Sequence, residues 1–226
     1  MAPRFDTAAL RGAQSEPARG WPHAAHLAGG DGRVRARGVA PHRRDNATMT
    51  APQTAIDGVH WGKIRAHADE RGAFREVWRA SAFAGTPPFV QANLSTSKAG
   101  VLRALHYHRK QIDHWVVVSG RVFVALVDLR PLQTDATAHP LVVTRTLKPD
   151  DTVTIPAYVA HGFLALDPTQ LLYLVTNEYD GSDERGIAWD DPDLAVPWPL
   201  RDVSGGLVLS DRDRANPRLV ALRGRL

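Results

Sequence analysis

From about residue 55 to residue 176, apolar and polar positions follow one another in short runs with breaks at turn residues. Alternation at a period of two is the pattern of strands with one face buried. Ile56 to Ile64 carries apolar residues at irregular alternation, and Asp69 to Gly72 reads as a turn before a strand from Phe74 to Trp78. Phe89 to Ser95 is a further strand with Gln91, Asn93 and Ser95 on one face. Two strands are expected in the next stretch, one before Leu105 and one after His114, with Gly100 and Gly120 as the bounding turns. Arg121 to Leu129 is apolar enough for burial on both faces. Leu141 to Leu147 and Asp151 to Ile155 flank a turn at Pro149 and Asp150, and Leu171 to Thr176 follows after a His-Gly step at His161. Residues 182–226 are turn-rich and are expected to wrap the body, ending in one short helix near Ser210 to Ala215 with Ser210 as its N-cap. Many short strands, few helical runs and 16 prolines predict an all-β barrel or sandwich.

Composition divides the chain. Its 226 residues suit one domain with an extension, or two small domains. Residues 1–48 hold eight Arg against four acidic residues and no sustained apolar period, so this basic extension is expected to be disordered. A transit peptide fits poorly with Asp6, Glu16 and Asp31. Translation starting at Met49 would remove the segment, and intact mass of the natively expressed protein tests that. Residues 49–226 form the expected folded domain. The net charge of +4 belongs to the extension, so the body has no basic stripe for nucleic acid. No apolar run is long enough to span a bilayer, and no signal-peptide core is apparent. With no Cys there is no disulfide, thiolate nucleophile or Cys-ligated zinc. A cytoplasmic location is the default expectation.

The stretch GVLRALHYHRKQIDHWVVVSG, residues 100–120, concentrates the candidate chemistry. Strand alternation puts Ala104, His106 and His108 on one face. Two imidazoles on one face are a metal site, catalytic equipment, or one packed and one solvated ring. The spacing of His106, His108 and Asp113 between two glycines resembles the first motif of the cupin superfamily, with Asp in place of Glu. Pro156 and His161 resemble the second motif, although Tyr158 replaces a usual glycine. On that reading His106, His108, Asp113 and His161 hold Zn, Fe, Ni or Mn.

A second resemblance covers residues 60 to 220. DERGAFREVW, VQANLSTSKAGVLRALHY, GRVFVALVDLR, IPAYVAHGF, LLYLVTNEY, IAWDDPDLAVPWP and LSDRDRANP are similar, in order, to motifs of the dTDP-4-dehydrorhamnose 3,5-epimerase family, itself of cupin fold. The resemblance implies a cupin-type β-barrel or jelly roll with a short C-terminal helical segment. It implies epimerisation of a dTDP-4-keto-6-deoxy-hexose in deoxysugar biosynthesis, without a cofactor or metal, by a homodimer whose early strands are exchanged or packed across the interface. A ketone acidifies the neighbouring C–H groups; a base takes a proton, an enolate forms, and an acid returns a proton to the opposite face. Carried over, His106 matches the base, Asp191 its carboxylate partner and Tyr173 the acid. Arg103 and His161 match sugar-pocket residues, and Gln91, Asn93 and Tyr179 substrate contacts. Arg71 matches a diphosphate contact, with Phe74 beside the nucleotide. The plain alternatives are that Tyr173 is a core tyrosine and Asp191 a turn residue before Pro192.

Two departures qualify this. His108 replaces a usual glutamine, and Asp113 occupies the place of a lysine that helps hold the keto oxygen. A carboxylate there opposes an enolate unless His114, Lys110 or a metal neutralises it. A single-site epimerase, or an enzyme acting on a related nucleotide sugar, is therefore a further reading, as is a non-catalytic sugar-binding cupin. The base, acid and carboxylate set argues against the last, because binding needs no base.

Overall fold

Strand-forming runs of two to seven residues bury a face only by stacking against a second layer, and here they stack into two five-stranded antiparallel sheets. The structure, a computed structural model, describes residues 56–203 and 205–226. The basic extension of residues 1–48, its expected disorder and the Met49 start lie outside the described residues.

One sheet has the order β1 (His60–Lys63), β9 (Asp151–Ile155), β6 (Asp113–Ser119), β11 (Thr169–Val175), β4 (Gln91–Ser97). The other runs β12 (Arg185–Gly186), β5 (Leu102–Tyr107), β10 (Val159–Ala165), β7 (Val122–Asp128), β8 (Val142–Leu147). β2 (Ala66–Asp69) and β3 (Gly72–Arg75) make a separate exposed hairpin. The turn expected at Asp69 to Gly72 is there, but β3 ends at Arg75 and does not continue to Trp78. Gly100 and Gly120 are the expected turns, with φ of 83° and 76°.

β7 is covered on both faces, as its apolar run predicts. Val122, Val124 and Leu126 pack between the sheets with Trp115, Val117, Val153, Phe163 and Leu171. Ala125, Val127 and Leu129 pack outward, under a layer that includes Ile187, Leu194 and Leu219 from the C-terminal segment. Each such aliphatic side chain contributes about 1.5–3 kcal/mol by leaving water. The wrap expected for residues 182–226 is therefore a second core, not a loose tail. It ends in α1 (Asp211–Arg214), whose N-cap Ser210 accepts a hydrogen bond from the Asp213 amide, as predicted.

One expectation about faces fails. Leu102, Ala104, Leu105 and Tyr107 all belong to the outer core, while Arg103 and His106 alternate with them on the inner face. Ala104 and His106 therefore point to opposite sides. A bulge is the cause: Arg103 pairs with Phe163 and His106 with His161, so two residues of β5 stand against Gly162 alone. A Cβ on Gly162 would overlap the Ala104 Cβ and approach the Arg103 carbonyl to 2.8 Å, so the bulge requires that glycine.

Candidate active site

Between the sheets, the core changes from apolar to polar toward one end. Leu171 and Val117 give way along β11 and β6 to Tyr173, Trp115 and Asp113. β10 opposes them with Phe163 and then His161, and β5 with Arg103 and His106. β4 adds the row Gln91, Asn93, Ser95 and Ser97, which therefore lines a polar interior and not bulk water. Gln91 donates to Asn93 (2.8 Å) and accepts from the Tyr179 amide (2.8 Å). Arg103 Nε donates to Ser97 Oγ (3.2 Å), and no carboxylate pairs with Arg103 among the described residues.

His106 Nε2 lies 2.6 Å from Asp213 Oδ1. A buried carboxylate accepts, so Nε2 carries the proton and Nδ1 keeps its lone pair. Asp213 is 4% exposed and is presented by α1, whose cap fixes its main chain. Asp191 was the expected partner, and that assignment is corrected. Its two oxygens accept from the amides of Asp193 (2.9 Å) and Leu219 (2.7 Å), closing a turn and tying the last 3-10 turn to the body. Its plain reading as a turn carboxylate is the right one. Nothing local in the sequence pairs residues 106 and 213; the signal was the LSDRD motif, with Ser210 as a cap.

Tyr173 stands on β11, in the sheet opposite the one that carries His106, and packs against the core between the sheets. Burial raises its phenol above the ordinary value, and the Asp113 charge adds to this while Arg103 opposes it. His161 is 5% exposed, and burial pushes its imidazole down to about 4, although Asp113 pulls the other way. Asp113 accepts from Gln111 Nε2 (2.7 Å) and Trp115 Nε1 (3.2 Å). His108, His161 and Asp113 come together and His106 does not join them; its Nε2 meets Asp213 instead. Of the four side chains that the spacing offered as ligands, the structure brings three together.

The segment 177–185 covers this end. Asp183 accepts from the amides of Arg109 (2.9 Å) and Lys110 (3.0 Å), stapling the segment to the loop after β5. A cavity of about 320 Å³ runs between them, lined by His108, Tyr179 and Glu184 among others. Burial disfavours the Glu184 carboxylate, yet the Arg212 guanidinium at 2.7 Å holds its carboxyl below the usual range. Glu184 and Arg212 were not anticipated from the sequence. Arg71 and Phe74 stand apart on the β2–β3 hairpin, where Arg71 pairs with Asp69 and Phe74 is 71% exposed. Within one chain they do not reach the polar end.

A two-sheet sandwich holding a histidine–carboxylate pair on one sheet and a tyrosine on the other is a cupin-like fold whose side chains can give and take protons. The family model described as dTDP-4-dehydrorhamnose 3,5-epimerase matches residues 53–221, and the chain belongs to that family. It is an epimerase, an isomerase, which removes the non-catalytic reading. The chain is 40% identical over 186 residues to the dTDP-4-dehydrorhamnose 3,5-epimerase of Mycobacterium tuberculosis, covering 77% of this chain and 90% of that one. The solved structure of the Mycobacterium tuberculosis rmlC epimerase superposes with a TM-score of 0.68 at 36% identity, over 77% of this chain and 90% of that one. ChmJ, a 3'-monoepimerase from Streptomyces bikiniensis solved in complex with dTDP-quinovose, gives 0.65 at 29% identity over 75% and 87%.

Proposed function

We propose that the protein epimerises a dTDP-4-keto-6-deoxy-hexose through an enolate, with His106 as base, Asp213 as its carboxylate partner and Tyr173 as acid. The observation that carries this is the His106–Asp213 pair at 2.6 Å on one sheet, with the half-buried Tyr173, whose phenol burial holds above its ordinary value, on the other. Nδ1 of His106 takes the proton from the carbon beside the ketone. The imidazolium that forms is stabilised by the Asp213 charge behind it. Tyr173, whose phenol burial keeps protonated, returns a proton from the other wall. Arg103 and His161 line the sugar, and Gln91, Asn93 and Tyr179 contact it. The relative solved with dTDP-quinovose supports a deoxythymidine diphosphate sugar as ligand.

The test is deuterium uptake from heavy water into a dTDP-4-keto-6-deoxy-hexose. Label at carbon 3 alone defines a single-site epimerase, and label at carbons 3 and 5 a double one; no label at either sinks the reading. Tyr173→Phe is expected to keep the label entering while inversion falls by about 10²-fold or more, since base and acid are separate groups. Loss of both together would remove Tyr173 from the acid role.

The same reading includes a homodimer. Among the described residues no strand pairs with the outer edge of β4, and the hairpin that carries Arg71 and Phe74 is exposed along its length, with Leu94 (59% exposed) and Val90 (50%) on and just before β4. Pairing of two copies covers such an edge and gives the hairpin a place to bind nucleotide. Sedimentation of the purified protein is expected to give twice the chain mass; a monomer across the micromolar range would leave Arg71 and Phe74 without a role.

A further inference from the structure

We infer that His108, Asp113 and His161 bind a divalent transition-metal ion. The argument starts from hydrogen bonds made on the far sides of the two rings. His161 Nδ1 is 3.0 Å from the Val159 carbonyl, and His108 Nδ1 is 2.9 Å from the Asp183 carbonyl. A carbonyl only accepts, so each Nδ1 carries the proton and each Nε2 presents a lone pair. This is the way metal-binding histidines are oriented, with the second nitrogen donating to a main-chain carbonyl. Asp113 is aimed in the same manner, by Gln111 and Trp115.

The resulting cluster has acceptors and no donor among its three members. His161 Nε2 and Asp113 Oδ2 stand 3.6 Å apart. That is too long for a hydrogen bond, and neither atom has a proton to give. One ligand atom from each of the three residues lies within 4.8 Å of the others. A tetrahedral ion with bonds of about 2.0–2.2 Å separates its ligands by about 3.4 Å, close to the 3.6 Å between His161 and Asp113. Gln111 and Trp115 leave each Asp113 oxygen a further lone pair, so a cation can take one lone pair from each of the three residues. Two imidazoles and a carboxylate suit Zn²⁺, Fe²⁺, Ni²⁺ or Mn²⁺. Asp113 and His161 are buried, whereas His108 is partly exposed at the cavity wall. That leaves the coordination position facing the cavity open. The ion changes the summed charge of the cluster from −1 to +1 beside Tyr173. This supplies the positive charge that Asp113, standing where relatives of the family pattern carry lysine, takes away; that role rests on the function proposed above, and the binding does not.

The experiment uses the full chain, stripped by dialysis against a chelator and titrated with Co²⁺ and Zn²⁺. Stoichiometry is read by calorimetry and elemental analysis, and coordination by the visible absorption of bound Co²⁺. One ion per chain is expected, with a low-symmetry Co²⁺ spectrum. His108→Gln, at the cavity wall, and Asp113→Asn are each expected to weaken binding by at least about 100-fold, more than the loss of a residue behind a ligand. His23, His26 and His42 in the extension are the competing source of imidazole. Binding that is unchanged in both variants, or no ion bound at all, overturns the inference. Isotope exchange on the stripped protein separates the two claims. Exchange without metal removes the ion's role at the enolate and leaves the site; no exchange with or without metal removes the epimerase reading and leaves the site standing on its stoichiometry.

Discussion

His106→Ala is expected to reduce deuterium exchange into the sugar by about 10²–10⁴-fold, the usual contribution of a positioned general base. The loss should fall on turnover and not on nucleotide affinity, because in the mechanism proposed above the ring acts at the reacting carbon and not at the diphosphate. A cost in stability comes with it. Asp213 is 4% exposed and would lose its partner at 2.6 Å. An unpaired buried group of that kind costs about 1–3 kcal/mol. Exchange is therefore compared per folded molecule, with dTDP binding as the control for an intact pocket. Exchange that survives in a folded His106→Ala protein removes the enolate mechanism proposed here.

Asp213→Asn and Asp191→Asn are expected to separate sharply. Asparagine at 213 keeps the shape and the helix cap, because Ser210 bonds to the main chain and not to the side chain. It removes the negative charge behind the imidazolium. A hydrogen bond to a charged group contributes about 1.5–3 kcal/mol, so exchange should fall by about 10- to 100-fold with the fold intact. At 191 the reverse holds. Both oxygens there accept from amides, and an asparagine has one acceptor to offer. Asp191→Asn should lose about 1–3 kcal/mol in a urea titration and keep its exchange rate per folded molecule. The opposite pair of results would restore Asp191 as the partner of His106.

The difference between those two carboxylates marks the limit of reading this chain as a string. Alternation, unbroken apolar runs and turn residues place most strands, because burial on one face or on both leaves its own pattern and each turn has its own residue chemistry. The double burial of β7, the cap at Ser210 and the polar row on β4 were legible for that reason. Two strands of the second sheet were not. β12 is two residues long, too short to show a period, and exists because the C-terminal segment pairs with β5. β10 follows Tyr158, a non-glycine residue at φ 61°, in a position where a glycine was the expected signal.

The site divides in the same way. By itself, the sequence determined the two-layer β class, the family and the residue types for proton transfer, because these depend on local periodicity and on motifs in order. Only the tertiary structure decided which groups meet. The bulge opposite Gly162 reverses the phase of β5, so Arg103 and His106 share a face that alternation denied them. The wrap of the C-terminal segment brings Asp213 to His106 across 107 positions and spends Asp191 on main-chain amides. Hydrogen bonds to Val159 and Asp183 turn the lone pairs of His161 and His108 toward Asp113. Spacing along a chain cannot carry such choices, since a side chain's partner is set by which strands pair, in what register, and by which polar atoms are already satisfied.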